Sequence, residues 1–488
     1  MEDTNWYYCQ WVYFRSTRLP DINNMVLHAS FSSRSPKFCV VGGGPAGFYT
    51  AQHVLRARQD VEVDVYERLP VPFGLVRFGV APDHPEVKNV INTFTQTAKH
   101  SRCNFYGNVN VGKDVSLGEL RQAYHAVVLS YGAEDNRRMG VPGEDLAGVY
   151  SAKDFVGWYN GLPSCQELSP DLSGDTAVVL GQGNVALDVA RILLSPVDIL
   201  KKTDITQPAL EALEKSQVRR VLIVGRRGPV QIACTIKELR EMAKLPGTRP
   251  QMLASDFDGV AEALKDVPRP RKRLTELLLK TALEVPDEDE QERRRRASRV
   301  WAFRFFRSPV EVLAGPGTSR TAGIRLAVNR LEGSGERAHA VLTGEVEDVP
   351  CGLIISSIGY RSTLVDPSVP FDSRKAIVPN INGRVHQGLY CSGWLKTGPT
   401  GVIATTMNNS FDTAKSLTDD MASGAVDLSA AKAGSQSIAG LLEKRGVKPV
   451  TFSDWEKIDS VETSRGEATG KPREKLLTVQ EMLQVAHQ

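Results

Sequence analysis

The sequence has no Cys-x-x-Cys pair. Its seven cysteines (Cys9, Cys39, Cys103, Cys165, Cys234, Cys351 and Cys391) are scattered and odd in number. That argues against a disulfide scaffold, a zinc ribbon, a cysteine-held iron–sulfur cluster and a dithiol redox centre. No stretch reaches the roughly 18 uninterrupted apolar residues of a spanning helix, which excludes a multi-pass membrane protein. Charge of one sign is also lacking: 60 Lys and Arg against 57 Asp and Glu leave +3 with histidines neutral. Such a balance does not suit a chain that coats nucleic acid. What remains is a chain of 488 residues, 41% hydrophobic and 24% charged. That composition predicts a packed soluble protein, and the length allows for about three domain-equivalents at about 150 residues each.

Residues 1–36 read differently from the rest. Trp6, Trp11, Arg15, Arg18 and Arg34 stand with Ser30, Ser32, Ser33 and Ser35, the composition of a mitochondrial presequence. Glu2, Asp3 and Asp21 speak for a plain tail instead. The fold is expected to start near Lys37.

Two segments carry the signature of a dinucleotide site. Phe38–Val41 is a short apolar run followed by Gly42, Gly44 and Gly47 at G-x-G-x-x-G spacing, and Phe48 to Arg58 reads as helix. Val61, Val63 and Val65 then alternate with polar residues up to Glu67, twenty residues after Gly47. In such a unit the first glycine allows a tight turn, the second lets backbone approach a pyrophosphate, and the third lets helix and strand pack closely. The acid accepts hydrogen bonds from a ribose. The second unit runs from Ala177–Leu180 through Gly181, Gly183 and Ala186, with a helix from Val185 to Leu194 ended by Pro196, an insertion over 195–217, and a strand at Val221–Val224. There Gly225-Arg226-Arg227-Gly228 takes the place of the ribose-binding acid. Two guanidinium groups suit a 2′-phosphate, which needs planar multidentate donors. An acid at one site fits FAD and arginines at the other fit NADPH, so the chain reads as a flavoprotein that takes hydride from a nicotinamide.

Ala126–Ala133 and Leu353–Tyr360 are strands ending in small-residue turns, read as two crossings between domains. The expected fold is α/β: two Rossmann-like dinucleotide-binding domains, with an NADPH domain (136–360) inserted into an FAD domain (37–135 and 361–488). After the second crossing come a strand at Leu389–Ser392, then Gly393, Trp394 and Gly398-Pro399-Thr400-Gly401, then a helix from Val402 to Met407. That helix N-terminus is positioned to stabilise negative charge on a reduced flavin. The charge run 287–299 reads as a solvated loop or helix end without chemistry, and 422–436 as a surface connection between helices.

The stretch Val71-Pro72-Phe73-Gly74-Leu75-Val76-Arg77-Phe78-Gly79-Val80-Ala81-Pro82-Asp83-His84-Pro85, with Gly181–Ala186, Gly225–Gly228 and Gly398–Ile403, resembles the adrenodoxin reductase family of mitochondrial NADPH–ferredoxin reductases. The likeness spans about residues 37 to 488. It is more distantly similar to the flavin-bearing halves of glutamate synthase. The resemblance implies FAD contacts from Gly42, Ala46, Glu67, Leu75, Val111, Trp394 and Gly401, Val402 and Ile403. It implies NADPH contacts from Gln182, Gly183, Asn184, Val185, Arg226, Arg227, Glu238 and Gly401. It also places His84 and Asp188, with Glu238, at the reacting centre, where they would assist proton movement. Asp83-His84-Pro85 equally fits a helix start with Pro at the first position, in which case Val87, Val90, Ile91 and Phe94 give that helix its buried face.

Hydride transfer needs stacked rings and exclusion of water, and no nucleophile. That agrees with the absence of a nucleophile elbow or a metal box in the sequence. By resemblance the electron acceptor is an acidic [2Fe–2S] ferredoxin serving cytochrome P450 and iron–sulfur pathways, docked transiently on a basic face. The candidates for that face are Arg240, Arg269 and Arg273, with Arg271, Lys272 and Lys237; Pro268 and Pro270 are expected to hold the stretch extended. The resemblance further implies a monomer in the mitochondrial matrix, associated peripherally with the inner membrane. Other readings stay open from the residues: an NADPH-dependent diaphorase or glutamate synthase-type subunit with another acceptor, a non-enzymatic dinucleotide sensor, and a flavin monooxygenase.

Overall fold

The computed structural model describes residues 35–488, so the expected leader lies, but for its last two residues, outside the described residues. Two six-stranded sheets organise the chain. In the first, strands Lys37–Val41, Glu62–Tyr66, Cys103–Tyr106, Ala126–Leu129 and Leu389–Cys391 run parallel, with Arg384–His386 antiparallel at one edge. Lys37–Val41 sits in its interior, paired on one side with Glu62–Tyr66 and on the other with Ala126–Leu129. In the second, Thr176–Leu180 is flanked by Arg220–Val224 and Leu353–Ser356, and all strands are parallel. These strands are near-continuous Val, Ile and Leu because both faces are covered, one by helices and the other by Val312, Ile324, Leu326 and Val349 of an antiparallel sheet, so neither face needs polar residues.

The chain leaves the first sheet after Ala126–Leu129 and returns after Leu353–Ser356. On the way, Asp135–Asn136 pairs antiparallel with Tyr360–Arg361, so the outgoing and returning segments are hydrogen-bonded to each other. An antiparallel three-stranded sheet (Arg307–Ala314, Thr321–Glu332, His339–Pro350) is inserted between strands Arg299–Arg304 and Leu353–Ser356 of the second parallel sheet. Helix Phe452–Glu467 closes the aromatic core of the first unit, where Phe73 meets Phe48, Phe94 and Trp455.

Four local expectations change. The helix after His84 is broken into Pro85–Lys88 and Val90–Ala98, and only Phe94 of the four proposed face residues is fully buried. The prolines do not extend the basic run. Pro268 is the N-cap and Pro270 the second residue of helix Arg269–Leu283, because a fixed φ near −65° and a missing N–H suit the first turn of a helix. The charge run forms helix Glu288–Arg296, capped by Asp287, with acids in its first turn and arginines in its last. That order complements the helix dipole and gives i,i+3 and i,i+4 pairs. Arg293 donates to the carbonyls of Ala243 and Thr248, so this helix is docked and not merely solvated. The helix expected from Val402 to Met407 runs from Ile403 to Ala422 and packs along Pro45–Ala57.

Buried ion pairs fasten the 195–217 insertion to the first unit. Asp204 accepts from Lys88 Nζ at 2.7 Å and pairs with Lys475 Nζ at 3.1 Å. Burial would raise Asp204, but the two ammonium groups hold it well below the carboxylate range. Asp204→Asn removes the one carboxylate that Lys88 and Lys475 share, and removing one member of a buried pair costs about 3–5 kcal/mol. Denaturant unfolding of the variant should show a loss of that size, and an unchanged midpoint would contradict the role given to this network.

Candidate functional site

Strand Lys37–Val41 runs into Gly42 at φ +110°, a conformation that disfavours any side chain, and a methyl group there would lie 2.6 Å from the Ser130 carbonyl oxygen. A Cβ on Gly47 would lie 2.0 Å from the Gly42 carbonyl oxygen. Gly44, the N-cap of helix Pro45–Ala57, is open, its nearest neighbour being the Gly74 Cα at 3.9 Å. The first-turn N–H groups of this helix have no intrahelical acceptor and face that opening, where the dipole favours an anion. At the end of the next strand Glu67 accepts from the Gly43 N–H at 2.8 Å and the Leu69 N–H at 3.0 Å. Burial raises its pKa against the pull of those two amides. The carboxylate keeps spare lone pairs beside the glycine turn.

The 71–79 loop covers this turn. Phe73 donates its N–H to the Gly43 carbonyl at 2.7 Å and adopts φ +83°, costly for a bulky residue. Its buried aromatic neighbours over-determine the position. Leu75 begins helix Leu75–Phe78 and is 38% exposed, while Val111 is buried. From the other end of the chain, Gly393 is pressed on Ala46, a Cβ there coming within 2.5 Å of the Ala46 methyl. Trp394 stacks on Tyr360 at 5.4 Å. Gly401, at φ +87°, and Val402 are exposed at the head of helix Ile403–Ala422, with Ile403 half-buried. Residues from 42–47, 67–75 and 393–403 thus meet around one helix N-terminus.

The second unit repeats the plan. Gly181 has φ +122°, and a methyl group would lie 2.2 Å from the Ser357 carbonyl oxygen. Gly183, N-cap of helix Asn184–Leu194, has nothing within 4 Å of its Cβ position. Buried Gln182 lies against Gly225 and leaves its Oε1 without a hydrogen-bond partner. Asn184 Oδ1 accepts from the Thr235 N–H at 2.8 Å; Val185 is half-buried. After strand Arg220–Val224, Arg226 is exposed and Arg227 partly so. The two open glycines, the orphaned Gln182 oxygen, the carboxylate on one turn and the guanidinium groups on the other form cradles that fit FAD and NADPH in turn.

Between the units lies a buried charge cluster. The Arg191 guanidinium, 2% exposed, donates to Asp83 at 2.8 Å, Asp188 at 2.7 Å and Glu238 at 2.8 Å. His84 Nε2 is 2.8 Å from Glu241 and 4.0 Å from Glu238. His84 is the N-cap residue of Pro85–Lys88, yet its ring caps nothing and points to Glu241. The three expected residues, His84, Asp188 and Glu238, are thereby brought together. Sequence reasoning missed Arg191, which organises them, and Glu241. An arginine on the buried face of a helix, three residues after an aspartate, was the available signal. Although His84, Glu238 and Glu241 converge closely, Glu238 already serves Arg191, so the group is an ion-pair cluster. Burial would raise Asp83, but Arg191 holds it below its ordinary range. Burial raises Asp188 in spite of Arg191. Burial, then the neighbouring Asp188 charge, pushes Glu238 up to about 7.

The basic candidates separate. Arg240, Arg269, Lys272 and Arg273 are exposed, on the mutually packed helices Ile236–Lys244 and Arg269–Leu283, whereas Arg271 turns inward. Among the described residues the six cysteines are buried and unpaired.

This geometry defines a two-site nucleotide oxidoreductase. The family pattern described as "Pyridine nucleotide-disulphide oxidoreductase" matches residues 36–230. The chain is 74% identical over 462 residues to the NADPH:adrenodoxin oxidoreductase of Salvelinus fontinalis, covering 94% of this chain and 93% of that protein. To the Homo sapiens protein of the same name it is 61% identical over 485 residues, 98% of each. Mycobacterium tuberculosis FprA in complex with NADPH superposes with a TM-score of 0.86 at 40% identity, over 93% of this chain and 100% of that one. The chain belongs to the NADPH:adrenodoxin oxidoreductase family.

A raised Glu238 predicts a specific pH dependence. The folded chain keeps this proton between about 4.5 and 7, where the unfolded chain has released it, so stability is lost as pH rises through about 7. Unfolding free energies measured across this window should fall less steeply in Glu238→Gln than in the parent. Equal slopes would contradict the assignment.

Proposed function

We propose that this chain is a mitochondrial FAD-dependent oxidoreductase that takes reducing equivalents from NADPH and delivers single electrons to a [2Fe–2S] ferredoxin of the adrenodoxin kind. The observation that carries the reading is the contrast between two alike turns, one ending in Glu67 and the other in Arg226 and Arg227. When bound, FAD converts the two-electron chemistry of NADPH into one-electron delivery.

The residues divide accordingly. The first-turn amides at Ala46 and Gly47 receive the FAD pyrophosphate and Glu67 its ribose, with Leu75, Val111, Trp394 and 401–403 along the cofactor. Gln182 to Val185 receive the NADPH pyrophosphate, and Arg226 and Arg227 the 2′-phosphate. His84, Asp188 and Glu238 form the proton-holding group beside the reacting rings. Glu238, poised near neutrality by burial, is the member best matched to exchange a proton at working pH.

Arg240, Arg269 and Arg273 present a cationic face for the acidic ferredoxin. Arg269 and Arg273, four residues apart, share one side of their helix. Kinship to proteins named mitochondrial supports a mitochondrial location, and we further propose a monomer associated peripherally with the inner membrane; no helix among the described residues is long and apolar enough to cross a membrane.

The test compares reduction of an acidic [2Fe–2S] ferredoxin with reduction of a dye as salt is raised. Ferredoxin turnover should fall steeply with ionic strength, and Arg269→Gln or Arg273→Gln should lose about tenfold more ferredoxin than dye turnover. Ferredoxin reduction no faster than dye reduction and insensitive to salt would favour a diaphorase.

A further inference from the structure

Of the four cations in 269–273, Arg271 is the exception. On a helix it points away from Arg269 and Arg273 and lies in line with the buried residues Leu274, Thr275 and Leu278. Its side chain is 22% exposed. It donates to the Ile232 carbonyl, and its Nε lies 3.3 Å from Glu336 Oε1. Glu336 sits on the 333–338 tip between strands Thr321–Glu332 and His339–Pro350. That tip is fixed over the arginine loop: Arg227 donates to the Glu336 carbonyl at 3.2 Å, and Gln231 to the Gly335 carbonyl at 2.8 Å. Burial, then the charges of Arg226 and Arg271, depress the Arg227 guanidinium.

Three guanidinium groups are thus close to one another at this tip with one carboxylate among them: Arg271 pairs with the Glu336 side chain, Arg227 holds its carbonyl, and the Arg226 charge acts on Arg227. One of them also stands in the first turn of a helix, where the dipole disfavours a cation. Each feature is unfavourable in the free protein and becomes favourable once a dianion enters. We infer that Arg271 is the third arginine of the 2′-phosphate site and a determinant of NADPH specificity. Glu336 is its internal counter-ion and gives it up when the phosphate binds. The inference rests on the NADPH reading of the Arg226-Arg227 loop and adds a residue from a separate helix. It also removes Arg271 from the ferredoxin face.

The test is calorimetric binding of adenosine 2′,5′-bisphosphate and of 5′-AMP to the FAD-loaded protein, which differ only in the 2′-phosphate. R271Q, which keeps donors for the Ile232 carbonyl, should weaken the bisphosphate roughly 10- to 100-fold and 5′-AMP no more than about twofold. E336Q, which disturbs no buried charge, should tighten the bisphosphate several-fold by releasing Arg271. Equal losses for both ligands in R271Q would mean that Arg271 only pins the Ile232 backbone, and would overturn the inference. So would a silent R271Q beside an R226Q that loses the bisphosphate. If R226Q and R227Q are silent as well, the NADPH reading of the loop falls, a result distinct from failure of Arg271 alone.

Discussion

One steric constraint, applied twice, sets the geometry of both nucleotide turns. In each sheet the first glycine is driven against the carbonyl that follows the neighbouring strand: Gly42 against Ser130, and Gly181 against Ser357. A methyl group has no room at either contact. Ser130 and Ser357 are also where the chain leaves one sheet for the other, after Ala126–Leu129 and Leu353–Ser356. The close approach that shapes each turn therefore also fixes where the crossings lie. Because Asp135–Asn136 and Tyr360–Arg361 pair, the two turns are held in one frame. The second glycines, Gly44 and Gly183, are the opposite case: their side-chain space is open, beside helix N-termini that favour anions.

Charge then distinguishes turns that backbone geometry makes alike. Glu67 ends one and two arginines follow the other. Between them Arg191 holds Asp83 from the 71–85 loop together with Asp188 and Glu238 from the second unit. Burying three carboxylates around one guanidinium disfavours their charged forms, and burial raises Asp188 and Glu238 in spite of Arg191. The same cluster joins the 71–85 loop to helices Asn184–Leu194 and Ile236–Lys244 of the second unit.

Much of this was legible in the sequence, for a physical reason. Glycine turns, apolar strands and the acid or arginines that end them are local features with fixed spacing, so Gly42 to Glu67 and Gly181 to Arg227 could be read directly. The convergence of His84, Asp188 and Glu238 was implied only by family resemblance. Arg191 and Glu241 were missed, because the partners that bring them to the site, Asp83 and His84, lie 108 and 157 residues away and such convergence leaves no local pattern. The left-handed Phe73 was invisible for the same reason: its strain is imposed by the aromatic core. Pro268 and Pro270 were misread because proline restricts the residue before it in an extended chain, yet also starts helices. Helical phase, once Arg269–Leu283 is known, separates Arg271 from its neighbours.

The central claim is that the acid-ended turn holds FAD and the arginine-ended turn holds NADPH. The most direct measurement is the visible spectrum of the purified chain during anaerobic titration with NADPH and, separately, NADH. The account predicts a yellow protein bleached by NADPH at far lower concentration than by NADH. A protein that is colourless and cannot be loaded with FAD, or a flavin bleached equally well by NADH, would contradict it.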